Sequence, residues 1–267
     1  MADDAPTSAP ADAAQQKMVR GIPVRVLIPN LITLLVLAAG LTAIRFAVEG
    51  RLEHSVLAIA VAGLLDGLDG RIARMLKGAS HFGAELDSLA DFISFGCAPA
   101  LVLYFWSLNE LSTFGWMAAL ALAFAAALRL ARFNVSIEDT TRPEWTKRFF
   151  TGVPAPAGAM LALLPIYLFL SGVPRFTGHA VLVAIYTIIV AALMVSRLPT
   201  LSGKGKSGPI PRERVIPIVA VVIVAVMLLV SHPFQTLSAL TLGYLAILPI
   251  GLAQYRKLQS AQESAAK

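Results

Sequence analysis

Four aspartates, Asp66, Asp69, Asp87 and Asp91, fall within 26 residues whose flanks are apolar enough to lie in a bilayer. A carboxylate at membrane depth is costly unless it is paired, hydrated or bound to a metal, so the group demands a chemical reason. On helices, Asp66 and Asp69 project from nearly one face, being three residues apart, and so do Asp87 and Asp91, four apart. If the two helices are antiparallel neighbours joined by the polar turn from Lys77 to Phe82, Asp66 meets Asp91 and Asp69 meets Asp87. Such hard oxygen donors suit Mg²⁺ or Mn²⁺, and admit Ca²⁺, far better than zinc. A purely structural role with Arg71 and Arg74 as counter-ions leaves half of the negative charge unbalanced. The histidines His54, His81, His179 and His232 have no paired spacing, and the lone Cys97 reads as a small packing residue.

The elements that must hold these groups are membrane helices. The chain has 267 residues, 57% apolar and 14% charged, with a mean hydropathy of +0.73, far from the composition of soluble domains. Runs of about 20 apolar residues predict eight helices, Leu27 to Phe46, Ser55 to Leu76, Gly83 to Trp106, Phe114 to Phe133, Val153 to Leu170, Ala180 to Val195, Val215 to Val230 and Leu237 to Ala253. The fold class is therefore all-α, a polytopic integral membrane protein. Residues 1–20 read as a disordered tail, Gly21 to Pro29 as a short interfacial segment, residues 21–257 as the membrane domain, and residues 258–267 as a second tail.

Loop charges orient this array. With both termini in the cytoplasm, 19 of the 22 Lys and Arg residues fall on the inner side, leaving only Arg45, Arg51 and Arg175 outside. The carboxylates then open to the cytoplasm of an inner membrane, beside Arg71, Arg74, Arg129 and Arg132. The net charge of +6 sits in loops where it meets anionic lipid, and does not point to nucleic acid.

The pattern Asp66-x2-Asp69-Gly70-x2-Ala73-Arg74-x8-Gly83-x3-Asp87-x3-Asp91 resembles, at every fixed position, the signature of the CDP-alcohol phosphatidyltransferase family. Asp91-Phe-Ile-Ser94-Phe-Gly96-Cys-Ala-Pro99-Ala, Arg129-Leu-Ala-Arg132-Phe-Asn134 and Val153-Pro-Ala-Pro156-Ala are similar to the serine-accepting branch of that family. Likeness in motif runs from about Pro29 to Pro156, with the transferase core expected over residues 27–172. The resemblance implies transfer of the phosphatidyl group of CDP-diacylglycerol to L-serine with release of CMP, and a homodimer in the membrane. It assigns Asp66, Gly70, Ala73, Arg74 and Gly83 to the CDP-lipid and Asp66, Asp69, Asp87 and Asp91 to divalent metal. The small residues there would let a nucleotide approach the backbone. Gly63 and Gly67 fit helix packing better.

Position singles out Asp91, the deepest carboxylate of its helix, as the base that accepts the proton of the attacking hydroxyl. A serine zwitterion needs a cation for its carboxylate, and Arg129 and Arg132 share a face three residues apart, with Arg132 the stronger candidate. Ser94, with Gly96 giving room, is expected to line the opposite wall. Choline, inositol phosphate or glycerol phosphate remain alternative acceptors. A cation-coupled transporter is the reading from another class, although no inverted repeat supports it.

Overall fold

Long apolar runs leave no water to satisfy backbone polar groups, and a helix, which satisfies them within its own segment, is the outcome such sequences favour. The computed structural model describes residues 24–76, 80–138, 149–196, 198–201 and 212–265. The tail expected over residues 1–20, residues 77–79 of the turn after Leu76, and residues 139–148, 197 and 202–211 lie outside the described residues.

The first helix, α1 (Val24–Val48), turns back into α2 (Leu52–Leu76). Gly50 makes this turn at φ +73, a left-handed conformation that favours glycine. Arg51 N–H donates to Phe46 O at 2.8 Å and Gly50 N–H to Ala47 O at 3.1 Å, which closes the last turn of α1 in a Schellman motif. The two helices pack along each other, pinned by Ser55 Oγ donating to Ala43 O at 2.7 Å. The segment expected to lie along the interface is, from Val24 onward, the opening of α1 itself, with no break at Pro29.

The third apolar run is one continuous rod with a change of pitch. Helix α3 (His81–Asp91) passes into a π-helical segment, Phe92–Cys97, and then into α4 (Ala98–Trp106). Ala98 N–H reaches back to Ile93 O, and Pro99, which has no N–H to give, removes a normal helical bond one residue later. A 3₁₀ turn, Leu108–Leu111, leads into α5 (Ser112–Glu138).

Beyond α5 the order is β1 (Phe149–Thr151), α6 (Ala155–Ala162), α7 (Leu164–Leu170), α8 (His179–Val195), β2 (Pro199–Leu201), α9 (Arg212–Ser231) and α10 (Pro233–Ala265). The molecule is helical as the composition implies; the addition is an antiparallel ribbon in which Phe149 pairs with Leu201 and Thr151 with Pro199. The expected C-terminal tail continues α10 as helix to Ala265. Among the described residues, Leu27–Val48, His81–Trp106 and Leu108–Val135 are long and apolar enough to cross a membrane, and His179–Val195 and Ile216–Ser231 are shorter apolar helices.

The packing is that of a membrane protein. Ala43, Ala62, Ala90, Ala98, Ala126 and Ala162 are buried, while Leu31, Leu35, Phe114, Met117, Ile188 and Val221 are exposed. Small residues inside let helix backbones approach, and large apolar ones outside meet lipid. Gly40 shows why size matters, because a Cβ there would overlap Ser94.

A candidate active site of four carboxylates

Helices α2 and α3 bring the aspartates together as their spacing implies. Carboxylate oxygens of Asp66, Asp69 and Asp87 all lie within 4.8 Å of one another. Oxygens around one Mg²⁺ at about 2.1 Å are on the order of 3 to 4 Å apart, so a small closure would make these three a ligand set. Asp91 stands just outside that trio, within hydrogen-bonding reach of Asp66. Its Oδ1 is buried and has no hydrogen-bond partner among the described residues. Carboxylates this close are unfavourable together unless a proton or a cation lies between them, and a divalent metal fits the donors present.

Local sequence explains why α3 starts where it does. Ser80 is its N-cap, with Oγ accepting from Gly83 N–H at 3.0 Å, and this sets Asp87 and Asp91 to face α2. Asn134 on α5 donates from Nδ2 to Ser88 Oγ at 2.9 Å, tying the end of α5 to the turn that carries Asp87.

Two positions on α1 reach the carboxylate region from outside the motif. Asp69, only 4% exposed, accepts at Oδ2 from Thr33 Oγ1 at 3.0 Å, and the same hydroxyl lies 3.1 Å from Pro29 O. A Cβ on Gly83 would sit 2.8 Å from Asn30 Oδ1, so the small residue admits an α1 amide to the site. The signal was present, since Asn30 and Thr33 are polar, three apart and set in an otherwise apolar span. Gly70, by contrast, is exposed with open space where a side chain would extend. Ala73 and Arg74 follow on α2, with side chains outside the described residues.

Residues expected on the acceptor side also contact other helices. Ser94, expected on the pocket wall, is fully buried and donates to Val36 O at 3.0 Å. It ties α3's continuation to α1. A Cβ on Gly96 would stand 2.9 Å from Ala126 Cβ on α5, so the glycine lets these helices approach. Both small residues serve helix contact within the π-helical segment.

The two arginines of α5 part in depth and partner. Arg129 is 8% exposed, with its guanidinium 5.4 Å from the Phe133 ring centroid and within electrostatic reach of Asp91 and of Tyr244 on α10. Its Nε is buried without a hydrogen-bond partner among the described residues. Arg132 is exposed and donates from Nη1 to Val195 O at 2.7 Å, capping the last turn of α8. The geometry puts Arg129 in reach of Asp91 and Arg132 on the end of α8.

Comparison with known proteins bears on the same residues. The family model for CDP-alcohol phosphatidyltransferase matches residues 26–195, and that for CDP-alcohol phosphatidyltransferase 2 matches residues 213–249. The chain is 36% identical over 238 residues to the CDP-diacylglycerol–serine O-phosphatidyltransferase of Mycobacterium leprae, covering 89% of this chain and 78% of that protein. It is 34% identical over 244 residues to the protein of that name in Mycobacterium tuberculosis, covering 91% and 84%. The protein of the same name in Bacillus subtilis is 36% identical over 172 residues, 64% of this chain and 88% of its own. With the matched region enclosing the whole carboxylate site, the chain belongs to the CDP-alcohol phosphatidyltransferase family.

Proposed function

We propose that the protein is a phospholipid-synthesising enzyme that transfers the phosphatidyl group of CDP-diacylglycerol to the hydroxyl of L-serine, giving phosphatidylserine and CMP. The observation that carries this reading is the meeting of aspartates from two helices with a buried arginine beside them. Asp66, Asp69 and Asp87 would hold divalent metal, Mg²⁺ or Mn²⁺, with Asp91 adjoining. When bound, the metal supplies positive charge to the pyrophosphate of the CDP-lipid. Thr33 fixes the orientation of Asp69, as outer partners of metal ligands commonly do. Gly70 and Gly83, with Ala73 and Arg74, would border the nucleotide, and Asn30 adds an amide to that border.

Asp91 is the base in this scheme. It accepts the serine proton as the hydroxyl oxygen bonds to phosphorus and the bond from phosphorus to the CMP oxygen breaks. Arg129 offers the serine carboxylate a desolvated cation, and Arg132, engaged with Val195, plays the lesser part. Ethanolamine lacks that carboxylate and should be a poor acceptor.

The test is CMP release by purified protein against serine, ethanolamine, choline, glycerol phosphate and inositol phosphate. Serine should be used at least about tenfold faster than any other, the selectivity that one well-placed ionic contact supplies. Equal rates with either phosphate would make Arg129 part of a phosphate site and remove serine as the acceptor. We further propose eight membrane spans from the apolar runs, a homodimer as the family resemblance implies, and, on the strength of the charge asymmetry, an active site open to the cytoplasm of an inner membrane. Cysteines placed at Ser8 and Ser207 should react with an impermeant thiol reagent only after the membrane is opened. Labelling in intact cells would reverse the orientation.

A further inference from the structure

The opposite end of the bundle carries a built feature that the transfer reaction does not use. Trp106 closes α4, 15 residues beyond Asp91 and so about 22 Å further along the rod. From the α7–α8 connection, Arg175 lays its guanidinium 4.8 Å from the Trp106 ring centroid and 5.0 Å from that of Phe169. Its Nη2 donates to Trp106 O at 2.9 Å, and its Nη1 lies 3.8 Å from Glu110 Oε1. Beside this stack opens a cleft of about 250 Å³, walled by Leu164, Leu168, Phe169, Val183 and Tyr186.

That volume is below the roughly 300 to 1,000 Å³ of sites that enclose a whole small molecule, so the cleft suits one stretch of a longer apolar ligand. The connecting loop shows apolar side chains outward, with Val173 51% and Phe176 57% exposed. Aromatic rings, an arginine and exposed apolar loop residues at one level are the signature of the membrane–water interface. The ligand at hand there is a lipid chain.

We propose that this cleft takes an acyl chain of a glycerophospholipid whose headgroup carries both a phosphate and a primary ammonium, with the phosphate on Arg175 and the ammonium on Glu110. Charge complementarity selects that headgroup. Arg175 presents a planar fork of the kind that binds phosphate. Glu110 is half exposed and too far from Arg175 for a hydrogen bond, so its oxygens can accept from an ammonium while its charge disfavours a purely anionic headgroup. His179 Nε2, 3.8 Å from Glu110 Oε1, is also 3.1 Å from Ser107 Oγ and holds the acid's flank.

The experiment is native mass spectrometry of the full-length protein in detergent with equal amounts of phosphatidylethanolamine, phosphatidylglycerol and phosphatidylcholine. The wild type should retain phosphatidylethanolamine at least about fivefold over the other two. Arg175→Gln should remove most of that retention, and Glu110→Gln should let phosphatidylglycerol bind as well as phosphatidylethanolamine. Both variants should keep CMP release, which shows that they are folded and separates this site from the carboxylates. Equal retention of the three lipids by the wild type, or an unchanged preference in Arg175→Gln, would overturn the proposal. A wild-type preference for phosphatidylglycerol would also overturn it, by assigning Arg175 to anionic lipid without Glu110.

Discussion

Charged side chains collect at both ends of the rod from His81 to Trp106, yet they are held in opposite ways. At the Trp106 end, each arginine among the described residues has an acid or a ring beside it: Arg45 and Arg51 flank Glu49, and Arg175 lies near Glu110 and on two rings. These groups are part-exposed, and pairs of that kind are worth about 0 to 1 kcal/mol each. At the aspartate end, like charges from α2 and α3 converge, and Asp91 Oδ1 and Arg129 Nε are buried without hydrogen-bond partners among the described residues. Folding does not bring like charges together for stability. The contrast supports the proposal that a cation and a charged substrate complete the structure at the aspartate end.

Substitutions can break or sharpen that contrast. Removing the carboxylate charge at the reacting centre should cost most: Asp91→Asn should lower turnover by about 10²- to 10⁴-fold, with CDP-diacylglycerol binding largely retained. Near-normal turnover would move the base elsewhere. Arg129→Ala should come next, raising the serine KM about 10- to 100-fold through loss of a charged contact while leaving the CDP-diacylglycerol KM nearly unchanged. Arg132→Ala, which gives up the bond to Val195 O, should raise it less; the reverse ranking in steady-state kinetics would restore Arg132 as the main acceptor contact. Thr33→Val keeps the shape of the side chain and deletes the bond to Asp69. It should raise the Mg²⁺ or Mn²⁺ concentration for half-maximal activity about tenfold, with full activity recovered at saturating metal. An unchanged metal requirement would reduce Thr33 to a packing role.

What the sequence made legible was whatever depends on spacing within one helix. The pairs Asp66–Asp69 and Asp87–Asp91 follow from helical periodicity, and their meeting follows from two helices joined by a short turn. The contribution of α1 was hidden because Asn30 and Thr33 act on partners more than 35 residues away in the chain, and no local pattern states that partner. The bond from Ser94 to Val36 O was hidden for a related cause. The segment Phe92–Cys97 is π-helical, so counting by 3.6 residues beyond Asp91 drifts away from the true direction of its side chains. For Arg129 and Arg132, periodicity gave the shared side of α5, but depth and the capping of α8 are tertiary facts.

The central claim is that Asp66, Asp69 and Asp87 form a divalent-metal site. Its most direct test is Mn²⁺ binding to the purified protein, followed by electron paramagnetic resonance as loss of the free-ion signal. The wild type should take up Mn²⁺ with or without CDP-diacylglycerol. Asp87→Asn should weaken uptake at least about tenfold, whereas Glu110→Gln, at the paired end of the rod, should leave it unchanged. Uptake by Asp87→Asn equal to that of the wild type would contradict the account.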